Sequence, residues 1–138
     1  MSVILVIGRV LFSALFFRSG IQHLRDDGTM AGYAAAKGVP YARLMVPVSG
    51  AMILAGSILV ALGLWADLGA LLLVAFLIPT ATIMHGYWRL RDPQERAMDA
   101  VHFYKDVALL GAAIVIFYLY NQGQDVAGSL TDALFGKF

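Results

Sequence analysis

Three histidines, His23, His85 and His102, account with Arg18, Gln22, Lys105 and Asp106 for most of the side chains in this sequence that can do chemistry in apolar surroundings. Imidazole gains and loses a proton near neutral pH, so a histidine close to a carboxylate is a ready acid–base pair. Asp106 follows His102 by four residues and Gln22 follows Arg18 by four, so each pair shares one face of a helix. Ionisable groups inside a membrane are costly and tend to pair, which predicts that Asp106 meets Arg18 or His23 across the molecule. The plainer reading of Arg18 and Lys105 is snorkelling to headgroups, and that of Asp106 is a structural salt bridge.

Other chemistries are limited by residue type. The chain has no cysteine, which excludes disulfide exchange, a persulfide on its own side chains, thiolate-held iron and covalent haem. The histidines lack the close spacing of a metal motif such as HxxxH, so no metal site is expected. Two imidazoles facing each other from different helices can hold a non-covalent haem, and this weaker alternative stays open. Ten Lys and Arg against nine Asp and Glu give a net charge of +1, which offers nothing to nucleic acid.

These residues must be positioned by membrane-spanning elements. Hydrophobic residues make up 60% of the 138-residue chain and charged ones 14%, against roughly 45–50% and 25% in an average soluble domain. The apolar residues fall in four runs, 3–24, 44–64, 68–85 and 102–120, long enough to cross a hydrocarbon core of about 30 Å at about 1.5 Å per residue. The predicted fold is therefore all-α, a single-domain integral membrane four-helix bundle in contact with the lipid bilayer. No basic segment precedes the first run and no convincing cleavage site follows it, so it reads as a retained helix.

Between the first two runs, Thr29 is placed to cap a short loop helix that Gly38 ends and Pro40 prevents from resuming. Residues 86–100 read as a polar, solvated segment. The second run is rich in Ser49, Gly50, Ala51, Ala55, Gly56 and Ser57, which suit close helix contact and leave self-association into a homo-oligomer open. Pro79 is expected to bend the third helix. In the tail, residues 121–138, Val126, Leu130, Ala133, Leu134 and Phe138 recur at helical spacing and predict an interfacial amphipathic helix.

Orientation follows from basic residues. Arg25, Lys37, Arg43, Arg89, Arg91, Arg96 and Lys105 belong to the first and third loops, whereas only Lys137 belongs to the other side. Basic loops stay in the cytoplasm, so the expected topology is N-out and C-out, with the histidines, Arg18, Lys105 and Asp106 at the cytoplasmic end. Arg9 stands apart, near the outer side. Arg9, Ser13, Phe16, Gly20 and His23 form one helical stripe that should face protein, although Arg9 can alternatively snorkel outward.

The run Gly8-Arg9 with Leu11, Phe16, Ser19-Gly20-Ile21 and His23 resembles the first-helix pattern of the DoxX family of small bacterial membrane proteins. Gly28 to Tyr33 and Lys37 to Pro40 resemble that family's next segment, Gly56-Ser57 with Leu62-Gly63-Leu64 its second helix, and His102 to Gly111 its fourth. Members often carry a glutamate near what is here Ile53 and an asparagine where this chain has Asp106, so a role of that glutamate does not carry over. The family is similar to the large subunit of thiosulfate:quinone oxidoreductase.

The resemblance implies a multi-pass protein of the bacterial inner membrane and a subunit of a quinone-linked oxidoreductase, with a partner redox subunit supplying any thiol step. In that role His23 or His102 exchanges a proton with the quinone and Asp106 orients the imidazole. Arg9, Arg18, Gln22, Lys105 and His85 are the further candidates for holding the cofactor or the surrounding bundle. A non-catalytic protein that binds or moves a lipid or small amphiphile, or scaffolds other membrane components, is the alternative.

Overall fold

The computed structural model describes residues 2–122 and 128–135, and among them regular structure is entirely helical. Helix α1 spans Ser2–Leu24, α2 Thr29–Ala36, α3 Ala42–Leu62, α4 Ala66–Pro79 and α5 Pro93–Asn121. A π turn over Thr80–Met84 extends α4, and a 3-10 turn over Tyr87–Arg89 follows it. Four helical segments, Val3–Leu24, Ala42–Leu62, Ala66–Arg89 and Pro93–Asn121, are long and apolar enough to cross a membrane.

Neighbours in sequence are neighbours in space: α1 packs on α3, α3 on α4 and α4 on α5, with α2 laid against α3. All four spanning helices supply the core, through Phe16 from α1, Ile53 and Val60 from α3, Ala70, Leu73 and Leu77 from α4, and Ala113 from α5. Small residues set the spacing. A Cβ on Gly50 would lie 2.6 Å from that of His23, and one on Gly69 would lie 2.9 Å from the Gly56 carbonyl oxygen. The small residues of the second span are thus used, at these two crossings, inside one bundle.

Local chemistry explains the ends of the helices. Asp26 accepts from the N–H groups of Met30 and Ala31 at 2.8 and 3.0 Å, and Asp27 accepts from Thr29 N–H at 3.0 Å, so these carboxylates cap α2 where Thr29 was expected to. Gly38 closes that helix in a left-handed conformation, as expected, with φ at +95°. At the end of α3, Gly63 is left-handed (φ +65°) and Leu64 N–H reaches the Leu59 carbonyl at 3.0 Å, the Schellman arrangement. Pro79 lacks the N–H that would continue the α register, and the Thr80 and Thr82 hydroxyls donate to the carbonyls of Phe76 and Ile78 at 2.7 and 2.9 Å.

Two sequence expectations need correction. The helix that carries the fourth apolar run begins at Pro93, nine residues before His102. Asp92 accepts from the N–H groups of Gln94 and Glu95 at 3.0 and 2.9 Å, with Pro93 in the first turn, a strong start signal hidden in a polar stretch. At 29 residues α5 is about 43 Å long, so its polar first turns project beyond a core of about 30 Å.

The second correction concerns the tail. Residues 128–135 form turns and bends in place of the predicted amphipathic helix, while Val126 and Phe138 lie outside the described residues. The tail's backbone donors are already engaged. Leu130 and Thr131 N–H donate to the Gly63 carbonyl at 3.0 and 3.3 Å, and Leu134 and Phe135 N–H donate to the buried Asp67 carboxylate at 3.0 and 2.8 Å.

Candidate functional site

The stripe predicted on α1 turns inward as a unit: Arg9, Ser13, Phe16 and Gly20 are buried and His23 is half-buried. Its two polar ends do different things. At the tail end, Arg9 is 3% exposed and donates to the Tyr120 hydroxyl, to Ser129 Oγ at 3.1 Å and to the Gly128 carbonyl at 2.7 Å. It does not snorkel; its guanidinium ties α1 to the end of α5 and to the returning tail.

At the opposite end, which carries the two long loops, His23 Nδ1 lies 3.0 Å from Ser49 Oγ. The Ser49 hydroxyl donates its own hydrogen to the Val46 carbonyl at 2.8 Å, so Ser49 Oγ can only accept from the imidazole. His23 is thereby held with its proton on Nδ1, leaving Nε2 as an acceptor. The edge of the ring also meets Phe76 of α4, with ring centroids 5.8 Å apart.

Beside His23 a cavity of about 670 Å³ opens between α1, α2, α3, α4 and α5. Its lining is mostly apolar, with Leu15, Phe16, Met45, Met52, Phe76 and Leu109 among the side chains. The ionisable groups on its wall are His23, Tyr33, His85, Lys105 and Asp106. This volume lies within the range of roughly 300–1,000 Å³ common for small-molecule cavities.

Next to the cavity, α5 presents one inward stripe at a spacing of seven: Asp99, Asp106, Ala113 and Tyr120 are all buried. Its two carboxylates flank His85. Asp99 Oδ1 lies 3.4 Å from His85 Nδ1, and Asp106 Oδ2 lies 3.9 Å from His85 Nε2. Each carboxylate also meets a lysine, Lys37 Nζ at 2.6 Å from Asp99 Oδ2 and Lys105 Nζ at 3.3 Å from Asp106 Oδ1. The hydrogen bond to Asp99 pushes the Lys37 ammonium above its ordinary pKa. His102 is exposed and stacks its ring on that of His85, with centroids 4.9 Å apart and planes inclined by 24°.

The expected partners of Asp106 therefore change. Arg18 and Gln22 are exposed on the outer face of α1, and His23 takes Ser49, so the groups against Asp106 are His85 and Lys105. A 3.6-residue repeat turns Arg18 away once Phe16, Gly20 and His23 face in. His23, His85, Lys105 and Asp106 come together on one cavity, whereas His102 touches it only through His85 and Arg9 belongs to the other end.

Sequence reasoning passed over Asp99, Lys37, Ser49 and Asp67. For Asp99 a signal existed, because it precedes Asp106 by seven residues and so shares its face. Among the described residues no group of three or more His, Asp or Glu is arranged to hold a metal ion.

Comparison with known proteins agrees with this architecture. The DoxX family profile matches residues 4–86. The inner membrane protein YphA of Escherichia coli (strain K12) is 28% identical over 115 residues, covering 83% of this chain and 81% of that protein. No solved structure gives a significant match. With four spanning helices, an inner-membrane relative and a family match over most of its length, this chain is a multi-pass protein of the bacterial inner membrane and belongs to the DoxX family.

Proposed function

We propose that the protein is the quinone-binding membrane subunit of an oxidoreductase system and that the cavity beside His23 is where the quinone sits. The observation that carries this reading is the cavity's make-up: an apolar volume of about 670 Å³ between spanning helices, with acid–base side chains confined to its loop end. A prenylated quinone has that polarity, with a carbonyl-bearing ring at one end and a hydrocarbon tail. Asp106 Oδ2, buried without a hydrogen-bond partner among the described residues, marks this end as one prepared for protons.

When bound, a quinone supplies a two-electron, two-proton couple. His23, oriented by Ser49, would exchange a proton with it at Nε2; Phe76 packs on the imidazole; and Met45 and Met52 would give a hydrocarbon tail a deformable wall. Any thiol or persulfide step would belong to a partner redox subunit, because the chain has no cysteine of its own. The excess of basic residues in the two long loops supports a cytoplasmic side for the site, with both termini outside.

Mass spectrometry of lipid extracts from gently purified protein tests this, with quinone enriched over the bulk membrane as the expected result. No enrichment, together with unimpaired electron transfer in a His23→Ala strain, would refute it. The rival reading, a non-catalytic carrier of lipid or small amphiphile, draws on the same apolar wall and would show itself as an enriched phospholipid or fatty acid.

A further inference from the structure

The string Lys37, Asp99, His85, Asp106, Lys105 crosses the cavity wall. His85, Lys105 and Asp106 line the cavity, whereas Asp99 and Lys37 do not. The crossing point is one imidazole with a carboxylate on each ring nitrogen, Asp99 at Nδ1 (3.4 Å) and Asp106 at Nε2 (3.9 Å). Each carboxylate has its second oxygen beside a lysine, so both anions are held in place by cations instead of by the histidine. The histidine is then free to change its charge. Asp106 Oδ2, the oxygen facing His85, is the one buried without a hydrogen-bond partner.

A static ion-pair network would satisfy that atom. A buried acceptor left open next to an imidazole nitrogen is instead a place where a proton can arrive. Among the described residues the titratable groups around His85 are Asp99 and Asp106 on its two nitrogens and His102 stacked on its face, with the lysines one contact further out. Since His102 is itself exposed and Asp99 lies off the cavity, the outer face of the string differs from the inner one, where Asp106 lies on the cavity wall beyond the imidazole.

We propose that Asp99, His85 and Asp106 form a proton relay from the loop-end solvent into the cavity. A proton from water binds Asp99 Oδ1 and passes to Nδ1 of His85. The resulting imidazolium releases its Nε2 proton to Asp106 Oδ2, on the cavity wall. One proton enters and one leaves, no electrons move, and the neutral ring resets by exchanging tautomers. The relay rests on the reading above only for its destination, the proton-accepting ligand in the cavity. Asp99 acts through His85, so it is a relay residue and not a catalytic one.

The test uses the whole chain in lipid nanodiscs, labelled with ¹⁵N-histidine, and follows proton exchange at the His85 ring by NMR line shape. Asp99→Asn keeps the size of the side chain and one acceptor oxygen for Lys37, but its NH2 group cannot carry the proton. It should slow exchange at His85 by about a hundredfold, the low end for a positioned proton-transfer group. Added formate, a small weak acid, should restore the rate in Asp99→Ala, which leaves room for it, and a retained helical circular dichroism spectrum shows that each variant is folded. Asp106→Asn should leave exchange with solvent intact.

Wild-type exchange at His85 in Asp99→Asn would overturn the relay, because it would show water reaching the ring directly. A slowed rate that formate does not restore in Asp99→Ala would overturn it equally. Binding of decyl-ubiquinone, titrated in the same nanodiscs, reports separately on the quinone reading. Failure to bind would remove that destination without altering what the NMR decides.

Discussion

Gly50→Ala and Gly111→Ala are the same chemical change at two helical glycines, and the structure predicts opposite signs for them. Alanine is favoured over glycine by roughly 0.5–1 kcal/mol inside a helix, because glycine loses more backbone freedom on ordering. At Gly111 an added Cβ meets nothing within 4 Å, so Gly111→Ala should be neutral or stabilising by up to that amount. At Gly50 the new atom would lie 2.6 Å from His23 Cβ, 3.1 Å from the Gly20 carbonyl and 3.2 Å from Leu24 N–H.

Two of those three neighbours are backbone, so α1 must move off α3 by up to about 1 Å to reach ordinary contact distances of about 3.5–4 Å. Overpacking of this kind costs about 1–3 kcal/mol, and subtracting the propensity gain leaves a net loss of up to about 2.5 kcal/mol. The two variants should therefore separate by several degrees in thermal unfolding in detergent, Gly50→Ala below wild type and Gly111→Ala at or above it. Because His23 is the residue displaced, Gly50→Ala should also alter its hydrogen bond with Ser49, visible in the ¹⁵N shifts of its ring. Equal melting temperatures for the two variants would refute the close crossing of α1 and α3.

Other consequences are as direct. Asp67→Ala removes the acceptor of two tail N–H groups and should speed hydrogen exchange at residues 128–135, at a cost of about 1–3 kcal/mol; unchanged exchange there would show that the carboxylate does not hold the tail. Since the chain has no cysteine, single substitutions report topology without background: Arg91→Cys should label only from the cytoplasmic side and Leu130→Cys only from the outside, and the reverse pattern would invert the bundle. The Lys37 contact carries a pH signature. Its pKa is raised above the ordinary 10.5, so its contribution is complete below that value and is lost as pH rises through the higher folded value. The destabilisation caused by Lys37→Met should therefore shrink in alkaline buffer, and a cost independent of pH would assign the effect to packing of the lysine stem.

The spanning helices were legible because hydrocarbon demands long apolar runs, and the inward stripe of α1 because helical spacing repeats its small and polar residues on one face. What was hidden depends on partners distant in sequence. Lys37 and Asp99 are 62 residues apart, and nothing local in either marks the pair. Asp99 was obscured for a further reason: the charged stretch from Arg89 to Asp99 reads as solvated loop although Asp92 and Pro93 start a helix inside it. The tail misled through its spacing. Leu130, Ala133 and Leu134 do recur as in a helix, but Gly63 and Asp67 offer its backbone better acceptors than the next turn would. For Arg9 helical spacing leaves both lipid and protein open, and the Tyr120 hydroxyl with the Gly128 carbonyl decides for protein.

A density map of the protein extracted with its native lipids tests the central claim most directly. A flat ring against His23 and Phe76, with a single chain running past Met45 and Met52, is the predicted occupant of the cavity. A forked, two-chain density with its headgroup at Lys105 would contradict it and make the cavity a phospholipid site.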